Sequence, residues 1–189
     1  MSPLFRAAVD IQKFVRDRGW PFCFIGGIVV SRWAVERQTV DADMTVFTRI
    51  ERDGECIADL LGRFAPRHAD AVAMAHRSRV LFLIHENGVA LDVALGTMEF
   101  EERAIERATW WDCGNDVRLF TCSAEDLLVH KAYASRPQDW ADVENVLAVQ
   151  GTRLDVAQIL RDLAPLTLLK EDDGIITKLE WMLKKQKLL

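Results

Sequence analysis

The stretch RQTVDADMTVFT, residues 37–48, sets two aspartates at the start of an apolar run. Asp41 and Asp43 flank Ala42, and Met44, Val46 and Phe47 follow. Residues 42–47 read as a strand, where successive side chains alternate, so both carboxylates point to one face. Like charges held this close repel each other, and burial makes the repulsion worse. A divalent cation removes the conflict. Mg²⁺ takes oxygen ligands, typically one or two protein carboxylates with substrate phosphates completing the shell. The plain alternative is a solvated strand edge, or a loop with two exposed acids.

Two features on either side of this stretch bear on that choice. Gly26-Gly27 lies between an apolar strand candidate at 22–25 and a helical stretch at 28–36. Glycines let a phosphate approach the backbone, and a helix N-terminus adds free N–H groups and a positive dipole end. A simple tight turn is the other reading. Asp92 sits in VALDVALG, an otherwise apolar strand after Glu86-Asn87-Gly88, and Asn-Gly between apolar runs is a hairpin signal. A lone buried carboxylate there is costly unless it is paired, so a salt bridge to an arginine is its structural alternative. In chain order these are strand, diglycine, helix, DxD strand and a later strand with one aspartate. Together they offer three carboxylates able to converge on one metal pair.

The rest of the chain fits around this. Helical spacing predicts helices over 3–18, 51–63 and 98–107, strands over 79–85 and 89–95, and a strand or hairpin within 109–120. From Ser123 only helices follow. Ser123 to Asp126 resembles a capping box opening a helix that ends near Arg136. Pro137 is placed to start the next, which runs to Gln150, and two more fill 155–163 and 172–187. The fold class is α+β: a mixed sheet flanked by helices over residues 1–120, with a C-terminal helical bundle over 121–189 packed on that core. Within the bundle, Lys131 falls one turn after Leu127 on a face that packs inward. Asp139 and Asp142 are three apart and share a face with Val143 and Val146. A polar cluster against the core follows. It is either a Lys–Asp ion pair locking two helices or part of a site.

The run GGIVVSRWAVERQTVDADMTV resembles the signature of the nucleotidyltransferase superfamily, the DNA polymerase β-like fold: diglycine or Gly-Ser, helix, DxD, and a third aspartate on a later strand. Arg37-x-Thr39-x-Asp41-x-Asp43 is similar to the R-x-T-x-D-x-D form of AbiEii-type toxins and related small bacterial nucleotidyltransferases. Lys131 followed by Arg136, Asp139 and Asp142 is similar to that family's lysine and R-x-x-D-x-x-D signature. The resemblance covers roughly residues 20–150. It implies transfer of an NMP from an NTP to a hydroxyl, with two Mg²⁺ ions held by Asp41, Asp43 and Asp92. Asp92 would then lie nearest the acceptor. It further implies that Gly26 and Gly27 hold the β and γ phosphates and that Lys131 contacts the triphosphate. Asp139 and Asp142 would orient that lysine or shape the acceptor side, and Arg37 would contact phosphate or pin the turn before the strand. The usual serine after the first glycine is absent, leaving backbone N–H groups to bind phosphate. The acceptor is tRNA, a protein or a small molecule, and the toxin resemblance adds an antitoxin protein as partner. A catalytically inactive member acting as a binding or regulatory subunit is the alternative, and the presence of all three carboxylates argues against it.

Composition narrows this further. The 189 residues carry a net charge of −5, half are apolar, and 28% are charged. That is ordinary for a folded domain and disfavours a broad nucleic-acid surface. No apolar run is long enough to span a membrane, the N-terminus lacks the apolar core of a signal peptide, and a cytoplasmic location is expected. Four scattered cysteines and four scattered histidines show no ligand spacing. The six tryptophans read as core or interface residues, and the basic tail at 178–187 as a docked helix with a solvated lysine face or a contact for RNA phosphates. Asp-Ala-Asp-Met-Thr also fits the DxDxT of haloacid dehalogenase-type phosphatases. That motif needs an apolar strand before its first aspartate, and Glu36-Arg37-Gln38-Thr39 stands there instead.

Overall fold

In the computed structural model, which describes residues 1–189, the chain divides into two units. The first comprises residues 1–28 and 38–122. Its opening helix α1 (Pro3–Asp17) is capped by Ser2, whose Oγ accepts from the Phe5 N–H at 3.3 Å, with Pro3 in the first turn. Ala7, Ala8, Ile11 and Val15 repeat at helical spacing and are fully buried. This stripe packs α1 against the sheet.

That sheet has seven strands: β1 (Phe22–Ile25), β2 (Asp41–Phe47), β3 (Ala65–Pro66), β4 (Val80–Ile84), β5 (Ala90–Gly96), β6 (Thr109–Asp112) and β7 (Arg118–Thr121). Their order is β3-β4-β5-β2-β1-β7-β6. The central pair β2–β5 is parallel, and β1 joins β2 antiparallel and β7 parallel. Ala42, Met44 and Val46 on β2 and Leu91, Val93 and Leu95 on β5 are buried on one face. They alternate with half-buried neighbours at the period of 2 over residues 41–44 of β2 and 90–95 of β5, and Thr45 on the other face is buried as well. The hairpin at Asn87-Gly88 forms as its sequence predicts, with Gly88 at φ +86°.

Helices α2 (Gly26–Trp33), α3 (Asp53–Arg63), α4 (Ala71–Ser78) and α5 (Glu99–Glu106) fill the connections. Two elements, α4 and the two-residue β3, were not expected from the sequence. The eight-residue α4 buries only Ala71 and Ala75, too little apolar surface to set a pattern. The diglycine also differs from a plain turn: Gly26 is itself the first residue of α2.

The second unit comprises residues 29–37 and 123–189. It contains α6 (Ala124–Ala134), α7 (Pro137–Gln150), α8 (Val156–Lys170) and α9 (Gly174–Lys185). Ser123 caps α6: its Oγ accepts from the Asp126 N–H at 3.1 Å and donates to the Asp126 carboxylate at 2.8 Å. α6 packs against the other three, burying Leu127, Leu128, Val143, Ile159, Leu163 and Leu179. α8 continues through Pro165, beyond the end expected near 163, because Leu166 and Thr167 on its next turn are buried. Segment 29–37 joins this unit through side-chain amides: Asn145 donates to the Val35 carbonyl at 3.1 Å and Gln150 to the Trp33 carbonyl at 2.5 Å.

Candidate active site

The parallel register of β2 and β5 sets Asp43 directly opposite Asp92, with Asp41 opposite Ala90. Residues opposite each other on neighbouring strands share a face, and those two apart on one strand do as well. Asp41, Asp43 and Asp92 therefore stand on the half-buried face, away from Met44 and Val93. Adjacent strands lie about 4.8 Å apart, so this register sets two like charges side by side. Each carboxylate has its own counterweight. Thr39 donates its hydroxyl to Asp41 Oδ1 at 3.0 Å. Gly27 presents its backbone N–H to Asp43 Oδ2 at 3.4 Å. Arg67 forms an ion pair with Asp92.

The glycine requirement at Gly26 has a specific cause. Its φ is +70°, and a Cβ built there would lie 2.0 Å from Asp43 Oδ2 and 2.7 Å from Asp43 Cβ. β1 and β2 place Ile25 opposite Asp43, so the bend that starts α2 folds directly over that aspartate. The carboxylate thus meets the backbone and the positive end of the helix that follows. Only a residue without a side chain fits.

Arg67 was not singled out by the sequence. It follows β3, and its backbone N–H donates to the Phe82 carbonyl at 3.0 Å. Phe82 is the register partner of Asp92 on β4. The guanidinium carbon lies 5.0 Å from the centre of the Phe82 ring. An arginine 25 residues before its partner, just after a strand of two residues, leaves no periodic signal.

The remaining motif residues form a cluster within the second unit. Lys131 Nζ lies 3.0 Å from Asp139 Oδ1 and 2.9 Å from Asp142 Oδ2. Arg37 grips Asp142 with both ends of its fork, Nε to Oδ1 at 2.6 Å and Nη2 to Oδ2 at 2.8 Å. Arg136 does the same to Asp139, at 2.6 and 3.2 Å, and its backbone N–H adds a third bond to Asp139 at 3.2 Å. Lys131, Asp139 and Asp142 are 6%, 1% and 2% exposed. Burial works to raise the pKa of both aspartates. The bonds from Arg136 and Lys131 outweigh it at Asp139, and those from Arg37 and Lys131 outweigh it at Asp142. Both carboxyls are held below the usual range.

Three aspartates on one half-buried face form an all-oxygen donor set, which suits a hard cation such as Mg²⁺. No three acidic, histidine or cysteine side chains are gathered into one coordination shell. No helix is long and apolar enough to cross a membrane.

The fold has known counterparts. The solution structure of the antibiotic-resistance factor ANT(2'')-Ia superposes with a TM-score of 0.55 at 15% identity, covering 88% of this chain and 92% of that one. The crystal structure of ANT(2'')-Ia in complex with adenylyl-2''-tobramycin gives 0.53 at 15% identity, over 88% and 98%. At such identity the likeness is one of fold. No curated protein matches the chain. A family profile, however, spans residues 4–186, and by it the chain belongs to the family described as "Nucleotidyltransferase of unknown function (DUF6036)".

Proposed function

We propose that the protein transfers a nucleotidyl group from an NTP to the hydroxyl of a small molecule, using the aspartate face of its first unit. The observation that carries this reading is the Asp43–Asp92 register beside a diglycine bend that only glycine can make. In the reaction the acceptor oxygen bonds to the α-phosphorus. The bond from that phosphorus to the β-phosphate bridging oxygen breaks, and pyrophosphate leaves with the electron pair. Asp92 is assigned to receive the hydroxyl proton, and Asp41 with Asp43 to hold the cations. Asp92 also holds the cation on the acceptor side. Two Mg²⁺ ions, when bound, supply charge stabilisation at the attacking and leaving oxygens. The N–H groups at Gly26 and Gly27 orient the β and γ phosphates. Lys131, Asp139 and Asp142 enter as the resemblance has them, a lysine for the triphosphate steadied by two carboxylates.

The net charge of −5 disfavours tRNA as acceptor, and the adenylyl-2''-tobramycin complex of a protein sharing this fold supports a small one. A toxin role with an antitoxin partner rests on the R-x-T-x-D-x-D resemblance alone. The test is incubation with each α-labelled NTP, Mg²⁺ and cell extract or aminoglycoside-type acceptors, followed by size separation. Label in the small-molecule fraction, absent with Asp43→Asn, is the expected result. Label on tRNA or protein overturns the acceptor class, and no label with any NTP overturns the transferase reading.

A further inference from the structure

Arg67 makes a charge contact to a proposed cation ligand that no motif explains. Its partner Asp92 stands opposite Asp43, where two negative charges meet. A guanidinium keeps its proton at any physiological pH, so a cation bound at Asp92 must either displace it or face its full repulsion. Displacement is physically easy here. The two side chains are 28% and 20% exposed, so water reaches and partly screens the pair. The contrast is Asp142, at 2% exposed under a bidentate arginine. Arg67 also has somewhere to go. Its backbone is fixed by the bond to Phe82, and its guanidinium already lies over the Phe82 ring. That aromatic face retains a cation after the carboxylate is given up.

We propose that Arg67 is a stand-in cation for the third carboxylate, and that it exchanges Asp92 for the anionic oxygens of the nucleotide when a divalent ion enters. In the resting protein it neutralises the facing Asp43–Asp92 pair. On exchange its fork is released within reach of the same sheet face, with two parallel N–H donors suited to a phosphate. Arg67 is thereby a nucleotide-contacting residue whose availability depends on cation entry, so that cation and nucleotide bind cooperatively. This rests on the aspartate face being the transfer site.

The test is calorimetric titration of the full chain and of Arg67→Gln with Mn²⁺ alone, then with a non-hydrolysable NTP analogue in saturating Mn²⁺. Loss of the competing charge is expected to tighten Mn²⁺ binding roughly tenfold while weakening analogue binding about tenfold. A residue that merely holds β3 in place would move neither, or weaken both. Mn²⁺ binding to the native chain with Arg67→Gln unchanged or weaker overturns the exchange and leaves the transfer reading standing. Absence of Mn²⁺ binding in both proteins overturns the two together. If Arg67→Gln fails to fold, the arginine Nε–Hε spectrum of the native chain, assigned through Arg67→Lys, decides. The Arg67 resonance must shift on Mg²⁺ saturation, and an unmoved resonance overturns the exchange.

Discussion

Asp43 in the first unit and Asp142 in the second are both motif aspartates, and their surroundings are opposite. Asp142 is 2% exposed and receives Arg37 through two bonds, Lys131 through one and the Gln138 amide through another at 3.2 Å. Asp43 is half-buried beside a second carboxylate, under a helix start and a long N–H contact of 3.4 Å. Charges are buried only when compensated, and Asp142 meets that condition through Arg37 and Lys131. A face that sets two like charges side by side gains from a ligand that brings positive charge. The difference separates a carboxylate enclosed in a buried ion-pair network from one on a half-buried face beside a like charge.

That contrast can be broken by substitution. The largest effect is expected from Lys131→Met, which leaves Asp139 and Asp142 buried with one cation fewer. It should cost about 3–5 kcal/mol of stability in denaturant melts. A variant that loses stability but keeps its NTP affinity would leave Lys131 a helix-locking residue and overturn the triphosphate role proposed for it. Asp43→Asn should do the reverse: nucleotidyl transfer falls by about 10³-fold, or roughly 4 kcal/mol in the barrier, while the melting temperature holds or rises as repulsion is relieved. Gly26→Ala combines a left-handed φ with a clash into Asp43. A loss of about 2–3 kcal/mol in stability, with transfer reduced alongside, is the expected outcome.

Acid sharpens the same comparison. Asp139 and Asp142 have folded pKa values below their unfolded ones, so their stabilisation is complete above about pH 4, the unfolded range. It is lost as pH falls through the folded values. Thermal melts between pH 7 and pH 3 should therefore hold steady and then drop below about pH 4, and Asp142→Asn should flatten that drop. The smallest effect is Thr39→Val. Removing a single partly exposed hydroxyl from Asp41 should change stability by about 0.5–1 kcal/mol and transfer by severalfold, read by melts and initial rates.

Much of the candidate site was legible because it is periodic or local. Asp41 and Asp43 share a face by strand alternation, Asn87-Gly88 makes its hairpin, and Ser123 caps its helix. These follow from geometry within a few residues. Arg67 was not legible, because its link to Asp92 depends on β3 and β5 both flanking β4. The same holds for Gln12. Its amide bonds the Arg118 carbonyl and the Phe120 N–H, each at 2.8 Å, where β7 pairs with β1 only at Phe24 and Thr121. The identity of Gly26 was visible, but its reason was not, since the atom it must avoid belongs to a strand 17 residues on.

The sequence by itself determined the element order apart from β3 and α4, the shared face of Asp41 and Asp43, the inward face of Lys131, and a family signature now matched by a profile over residues 4–186. These depend on repeats of 2 and 3.6 residues and on caps, which are properties of the backbone. Only the tertiary structure decided that Asp92 stands opposite Asp43, that Arg67 pairs with Asp92, and that Arg37 pairs with Asp142. Register between distant strands and the choice of ion-pair partners are settled by packing the whole chain, where every buried charge must find its opposite.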